Sequence, residues 1–164
     1  MTFVDKHPWR EAFIANLLDR LAGKITEQGE DFLASAGLTF PARAVSSVLL
    51  IGEQQRISAA DIAKVLDQPH QLVTQRIDLL LKLGIVERMD DPDDGRRKLL
   101  KLSLTGRKQF ERLQGRLTQA TKVFADLFEE IDCDLTNIAI RAMSALDERS
   151  IVERANDLPS TSKE

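Results

Sequence analysis

The sequence predicts a mainly α fold carrying one small β-hairpin, an α+β arrangement, and three observations lead there. Long stretches of the 164-residue chain repeat apolar positions every three or four places, the period of a helix with one buried face. One stretch, "MDDPDDGRRKLLKLSLTG" from Met89 to Gly106, switches to period two, with Leu100, Leu102 and Leu104 alternating with Lys101 and Ser103. Directly before that alternation stand Asp-Pro and Asp-Gly, where proline presets φ and glycine supplies a positive φ without steric cost. With "GIVERM" upstream, these make a hairpin whose charged tip carries Arg96, Arg97 and Lys98.

The elements follow in order. Residues 8–34 read as a long helix, with Pro8 in its first turn and Trp9, Phe13, Leu17 and Leu21 recurring every four places. Gly23 and Gly29 weaken it and permit a bend in its second half. A second helix follows, with Thr39 as N-cap, Pro41 in the first turn and Gly52 as the stop. "ISAADIAKVLDQ" is a short third helix, where Ser58 and Asp61 resemble a capping box. After the break at Asp67-Gln68-Pro69 comes "HQLVTQRIDLLLKLG", closed by Gly84 as a C′ residue. At 100° per residue, Gln71, Thr74, Gln75, Asp78 and Lys82 fall on one polar strip, while Leu72, Val73, Ile77, Leu79, Leu80 and Leu83 cover the rest. Beyond the hairpin, Thr105 caps a helix running to about Glu130, and "CDLTNIAIRAMSALDERSIVERA" forms one last helix. The expected organisation is a first dimerisation helix (1–36), a winged helix-turn-helix (37–104), C-terminal helices that complete the dimerisation region (105–155) and a disordered polar tail (156–164).

Composition excludes several classes. A single cysteine rules out an internal disulfide framework and fits a reducing compartment. The N-terminus has no basic segment followed by an apolar one, as a signal peptide would, and no run reaches the length of a membrane span, so a cytoplasmic protein is expected. Net charge is −3, yet from Arg56 to Lys108 eleven Lys/Arg face eight Asp/Glu, and from Asp126 onward four face ten. A basic middle with an acidic end is compatible with a local polyanion site. No nucleophile motif, phosphate loop or paired-carboxylate signature stands out, so an enzyme is not expected, nor a cofactor. His7 and His70 pair with Cys133 at no metal-ligand spacing. Asp132 and Asp134 flank Cys133 and disfavour the thiolate that a redox sensor needs.

Two short helices with a tight break, then a hairpin with a basic tip, make a winged helix-turn-helix. The major groove admits one helix, whose N-terminal side chains reach base edges; here those are His70, Gln71, Thr74 and Gln75, with Lys82 further along the strip. At the wing Asp94, Arg96, Arg97 and Lys98 are the expected DNA-binding residues, and an arginine at the tip can enter a narrow minor groove, where the negative potential is strong. Apolar faces on both terminal helices, around Trp9, Phe13, Leu17 and Leu21 and around Ile138, Ala142 and Leu146, are expected to be buried against a second copy. Trp9, Phe13 and Phe32 are candidates for core, for dimer interface or for a ligand pocket.

The order of elements, and "LT-P", "S-ADIA-L", "VTQRIDLLLKLGIVER", "DPDDGRR" and "LSLTGR" in particular, resembles the multiple-antibiotic-resistance regulator (MarR) family of winged-helix transcription factors, over about Pro8 to Ile151. The resemblance implies a homodimer joined by first and last helices. It also implies a wing in which Asp94 orients Arg96, a roughly palindromic double-stranded DNA operator, and a small aromatic or phenolic effector. Family members commonly carry Ser or Thr where this helix starts with Pro69, and Arg near the positions of Gln75 and Leu79. Fewer cations on the reading helix mean weaker phosphate anchoring and more reliance on the wing. Arg76 falls within the leucine-rich arc and either snorkels or pairs with an acid such as Asp78 or Glu87. The competing reading is a winged-helix protein–protein interaction module with little affinity for DNA.

Overall fold

The computed structural model describes residues 2–159, so positions 160–164 of the expected tail lie outside the described residues. The chain divides into two compact units, one up to Leu117 and one from Thr118 onward. The first contains α1 (Ile14–Ala34), α2 (Val45–Gln54), α3 (Ala59–Val65), α4 (His70–Lys82), the strands β1 (Val86–Asp90) and β2 (Lys98–Leu102), and the start of α5 (Leu104–Glu130). The second contains the rest of α5, α6 (Leu135–Glu148) and α7 (Ile151–Asn156).

The core of the first unit explains why the middle of the chain folds as it does. Val48 and Ile51 of α2, Ile62 of α3, and Val73, Ile77 and Leu80 of α4 are all buried, together with Ile85, Leu100 and Leu113. On α4 the buried positions recur at intervals of three and four, as one inward face of a helix requires. β1 and β2 form an antiparallel pair from Val86 opposite Leu102 to Asp90 opposite Lys98. A further bridge, Ile57 with Leu100, stitches the chain entering α3 to β2. Leu100 and Leu102 are inward, as alternation predicts, but Leu104 is 68% exposed because the chain has already turned into α5.

α4 ends in a Schellman closure: Gly84 N–H bonds Leu81 O at 3.0 Å and Ile85 N–H bonds Leu80 O at 3.0 Å, with Gly84 at φ +66°. That closure sets the start of β1, and α5 is seated on it. Ser103 N–H bonds Ile85 O at 3.0 Å, the Ser103 hydroxyl donates to Gly84 O at 2.6 Å, and the same hydroxyl accepts Gly106 N–H at 2.9 Å. The cap of α5 is therefore Ser103, not Thr105. Gly106 lies so close that a Cβ there would fall 2.0 Å from Ile85 O.

Four other local expectations change. A 3₁₀ turn, Arg10–Phe13, precedes α1, which then runs unbroken through Gly23 and Gly29. Gly52 lies inside α2 and does not stop it; a Cβ there would meet the Phe110 ring at 2.3 Å, so its role is close packing, and the helix ends at Gln55 with φ 62°. Thr39 caps nothing: its N–H bonds the buried Gln109 side chain at 2.9 Å, and no side chain caps the turn Ala42–Ala44. The last helix is two helices, because Ser150 opens α7 with a capping box to Glu153.

Candidate nucleic-acid interface

On α4 the outward face carries uncharged amides in its first two turns, and Asp78 and Lys82 further along. Gln71 and Gln75 are exposed, and among the described residues no hydrogen bond or ion pair engages either side chain. Thr74 is half-buried; its hydroxyl donates back to His70 O at 2.9 Å and lies 3.5 Å from His70 Nδ1, contacts within the helix that leave its methyl for other partners. His70 is exposed at the first position, and Lys82 is exposed in the last turn. Leu72, counted with the inner face by periodicity, is 39% exposed; its position lies about 60° from Gln75 around the helix, on the outward side. An apolar side chain there suits a thymine methyl. Asp78, on the same strip, is held by Arg88 of β1 at 3.1 Å, a pair that spans a groove of about 260 Å³ between α4 and the hairpin.

At the wing, charges are largely matched in place. Two pairs sit directly opposite each other on the strands: Lys98 with Asp90, and Lys101 with Glu87 at 3.0 Å. The turn is built by carboxylates: Asp91 Oδ1 accepts Asp93 N–H at 3.0 Å, and Asp94 Oδ1 accepts Arg96 N–H at 3.0 Å. Asp94 thus positions Arg96 through its backbone. The Arg96 side chain is exposed, and it has no ion-pair partner among the described residues.

Arg97 is different. Its guanidinium bonds the Asp61 carboxylate, lies 3.3 Å from Ser58 Oγ and 3.8 Å from Asp91 Oδ2, and so points at α3 and the end of β1. Ser58 caps α3 as expected: its hydroxyl accepts Asp61 N–H at 3.2 Å and donates to Asp61 Oδ2 at 2.7 Å. The Ser58 hydroxyl first, then the Arg97 charge, hold the Asp61 carboxyl below the usual carboxylate range. Nothing in local sequence joins residues 61 and 97, so this contact was not legible there. Arg76 neither snorkels nor pairs with Asp78 or Glu87; it bonds Gln68 Oε1 in the break between α3 and α4, while its Nε is buried without a partner.

The remaining candidates lie elsewhere. Trp9 is 70% exposed beside His7, whose ring also meets Phe3 at 5.0 Å and Phe13 at 5.8 Å between centroids. Phe32 lies at the far end of α1, under the Arg116 guanidinium at 4.6 Å. At 1.5 Å per residue about 28 Å of helix separates Phe13 from Phe32, so within one chain the three aromatics do not line a common pocket. Leu17 is half-buried; Leu21, Ile138, Ala142 and Leu146 are exposed, the last three at four-residue spacing on one face of α6. Among the described residues no group of His, Cys, Asp and Glu could hold a metal ion, and no helix is long and apolar enough to cross a membrane.

Comparison with known proteins agrees with this geometry. Residues 36–97 match the model of the MarR family. The chain is 30% identical over 129 residues to the HTH-type transcriptional regulator PapX of Escherichia coli, covering 78% of this chain and 76% of PapX. Among solved structures, a cysteine-to-serine mutant of E. coli MarR, crystallised with operator DNA, superposes with a TM-score of 0.65 at 20% identity, covering 89% of this chain and 99% of MarR. The adhesin competence repressor AdcR of Streptococcus pyogenes superposes with a TM-score of 0.56 at 18% identity, covering 85% and 98%. At such identities the structural matches establish the fold: mainly helical, with a winged hairpin.

Proposed function

The chain belongs to the MarR family of transcriptional regulators, which are not enzymes, and from that premise we propose that it is a homodimeric, sequence-specific repressor that reads DNA with α4 and the wing. The observation that carries this reading is the uncovered amide face of α4, together with an exposed Arg96 at the wing. Gln71 and Gln75 can each pair in bidentate fashion with adenine, His70 and Thr74 stand at the groove edge, and Leu72 meets a thymine methyl. Arg96 enters the flanking minor groove, while Lys82 and Lys98 lie against phosphates. Repression is supported by the names of two proteins of the same fold, the adhesin competence repressor and the multiple antibiotic resistance repressor. A second copy would cover apolar side chains that are otherwise wet, such as Ile138, 50% exposed, and Leu146, 48% exposed. Two α4 helices related by a two-fold axis then require a roughly palindromic operator with half-sites about 10 base pairs apart. In this reading the protein works in the cytoplasm, and a small aromatic or phenolic effector shifts its DNA affinity.

The test is binding to mixed-sequence duplex DNA across a salt series, with sedimentation of the free protein alongside. A steep loss of affinity with salt, reflecting counterion release, and a dimer at micromolar concentration are expected. A shallow salt dependence would favour a protein–protein module, consistent with the carboxylates that already occupy the wing cations. A stable monomer would refute the dimer.

A further inference from the structure

We propose that Arg97 is a positioning residue: it clamps the base of the wing to the start of α3 and so aims Arg96, and it does not itself contact DNA. This rests on the DNA-reading function proposed above. Arg97 reaches two elements at once, Asp61 and Ser58 at the head of α3 and Asp91 at the exit from β1. The backbone around it is equally committed, with Asp91 N–H on Arg97 O at 3.2 Å and Arg97 N–H on Asp94 O at 2.9 Å. The Ile57–Leu100 bridge brings these segments side by side, since it pairs the residue before Ser58 with the strand that Arg97 leads into.

The chemistry favours a clamp over a phosphate ligand. The Arg97 side chain is 45% exposed, but the Nη2 donors of its planar guanidinium are taken by Asp61 and Ser58, and Nη1 faces Asp91 at 3.8 Å. A phosphate approaching it would meet the Asp61 and Asp91 carboxylates as well, and like charges oppose that contact. Its neighbour differs in its partners: Arg96 is fixed at its backbone N–H by Asp94, and its guanidinium, exposed like that of Arg97, has no ion-pair partner among the described residues. One arginine therefore holds the turn that presents the other.

The two roles give opposite signs on removing Asp61. If Arg97 were a phosphate ligand shielded by Asp61, Asp61→Asn would tighten DNA binding. If Arg97 is a clamp, Asp61→Asn weakens it. The experiment measures affinity against salt for the full-length chain on the duplex that it selects from a randomised pool, with Arg96→Ala, Arg97→Ala, Asp61→Asn, the Asp61→Asn/Arg97→Ala double variant and the Asp61→Arg/Arg97→Asp exchange. Arg97→Ala and Asp61→Asn are each expected to lose about tenfold in affinity with the salt slope unchanged, and the double variant to lose no more than either alone. The charge exchange restores affinity. Arg96→Ala lowers the slope by about 1. Tightening by Asp61→Asn, or a fall in slope of about 1 with Arg97→Ala, overturns the clamp. Should Arg97→Ala fail to fold, Asp61→Asn and the exchange decide by the same signs. Loss of the clamp pattern while Arg96→Ala still weakens binding refutes this inference alone; an Arg96→Ala variant with unchanged affinity and slope refutes the wing's part in the proposed function.

Discussion

Gln71 and Gln75 project from α4 with no partner among the described residues, whereas at the wing Lys98 is held by Asp90 and Arg97 by Asp61. Both regions rest on the same core, yet one offers uncommitted neutral donors and acceptors and the other offers charges already matched. Neutral amides lose little by waiting in water, and in the groove they gain directional pairs that depend on the base. Charges on an exposed hairpin would attract any polyanion, and matching most of them with carboxylates restrains that attraction. Under the function proposed above, the contrast would give base discrimination to α4 and a grip led by Arg96 to the wing.

The comparison can be broken at its common foundation. Gly106→Ala introduces a Cβ 2.0 Å from the Ile85 carbonyl oxygen, on the backbone that both α4 and β1 hang from. Alanine is the better helix former by about 1 kcal/mol, but a clash with backbone of about 1–3 kcal/mol or more should win. Urea unfolding is expected to show a lower midpoint with unchanged slope; an unchanged or higher midpoint would mean that the seat of α5 on the hairpin is loose.

Arg96→Ala comes next. It should cost about 1–3 kcal/mol in binding to a selected site, most where the flanking minor groove is A·T-rich, and fluorescence anisotropy with A·T and G·C flanks measures the difference. Lys98→Ala should do less. Asp90 already balances that ammonium, so a uniform loss below that of a full phosphate contact is expected on every sequence, with a salt slope reduced by less than about 1. A Lys98 effect equal to that of Arg96 would show that the strand pair opens on DNA.

The smallest effect is on acid stability. Asp61 is more acidic folded than unfolded, through Ser58 first and Arg97 after it, so its contribution is present above its ordinary value of 3.8 and is lost as pH falls below that. The pair is nearly half exposed, which keeps the contribution small. Asp61→Asn should leave a shallower fall in melting temperature at acid pH than the wild type, and an identical pH profile would deny that the carboxyl is held by these partners.

What the sequence made legible was local. The inward stripe of α4, the Ser58 cap, the Gly84 closure and the Leu100–Leu102 alternation each depend on residues within one turn or one strand. The break at Ser150 was legible too, since Ser150-x-x-Glu153 is the capping pattern, but the apolar run across it masked the signal. Gly52 and Gly106 misled or stayed silent because their meaning lies in Phe110 and Ile85, far away in sequence. Arg97 and Arg76 were open for the same reason: a run of cations at a turn looks like a solvated tip until Asp61 is found beside it, and only the fold brings Gln68 to Arg76.

The claim that α4 reads bases through its amide face is tested most directly by selecting binding sites from randomised duplexes with the wild type and with Gln75→Ala. The account predicts a motif that relaxes at one base pair in each half-site, an affinity loss of about 1–3 kcal/mol on the wild-type motif, and unchanged binding to mixed-sequence DNA. Identical motifs from the two proteins would contradict it and leave specificity to DNA shape.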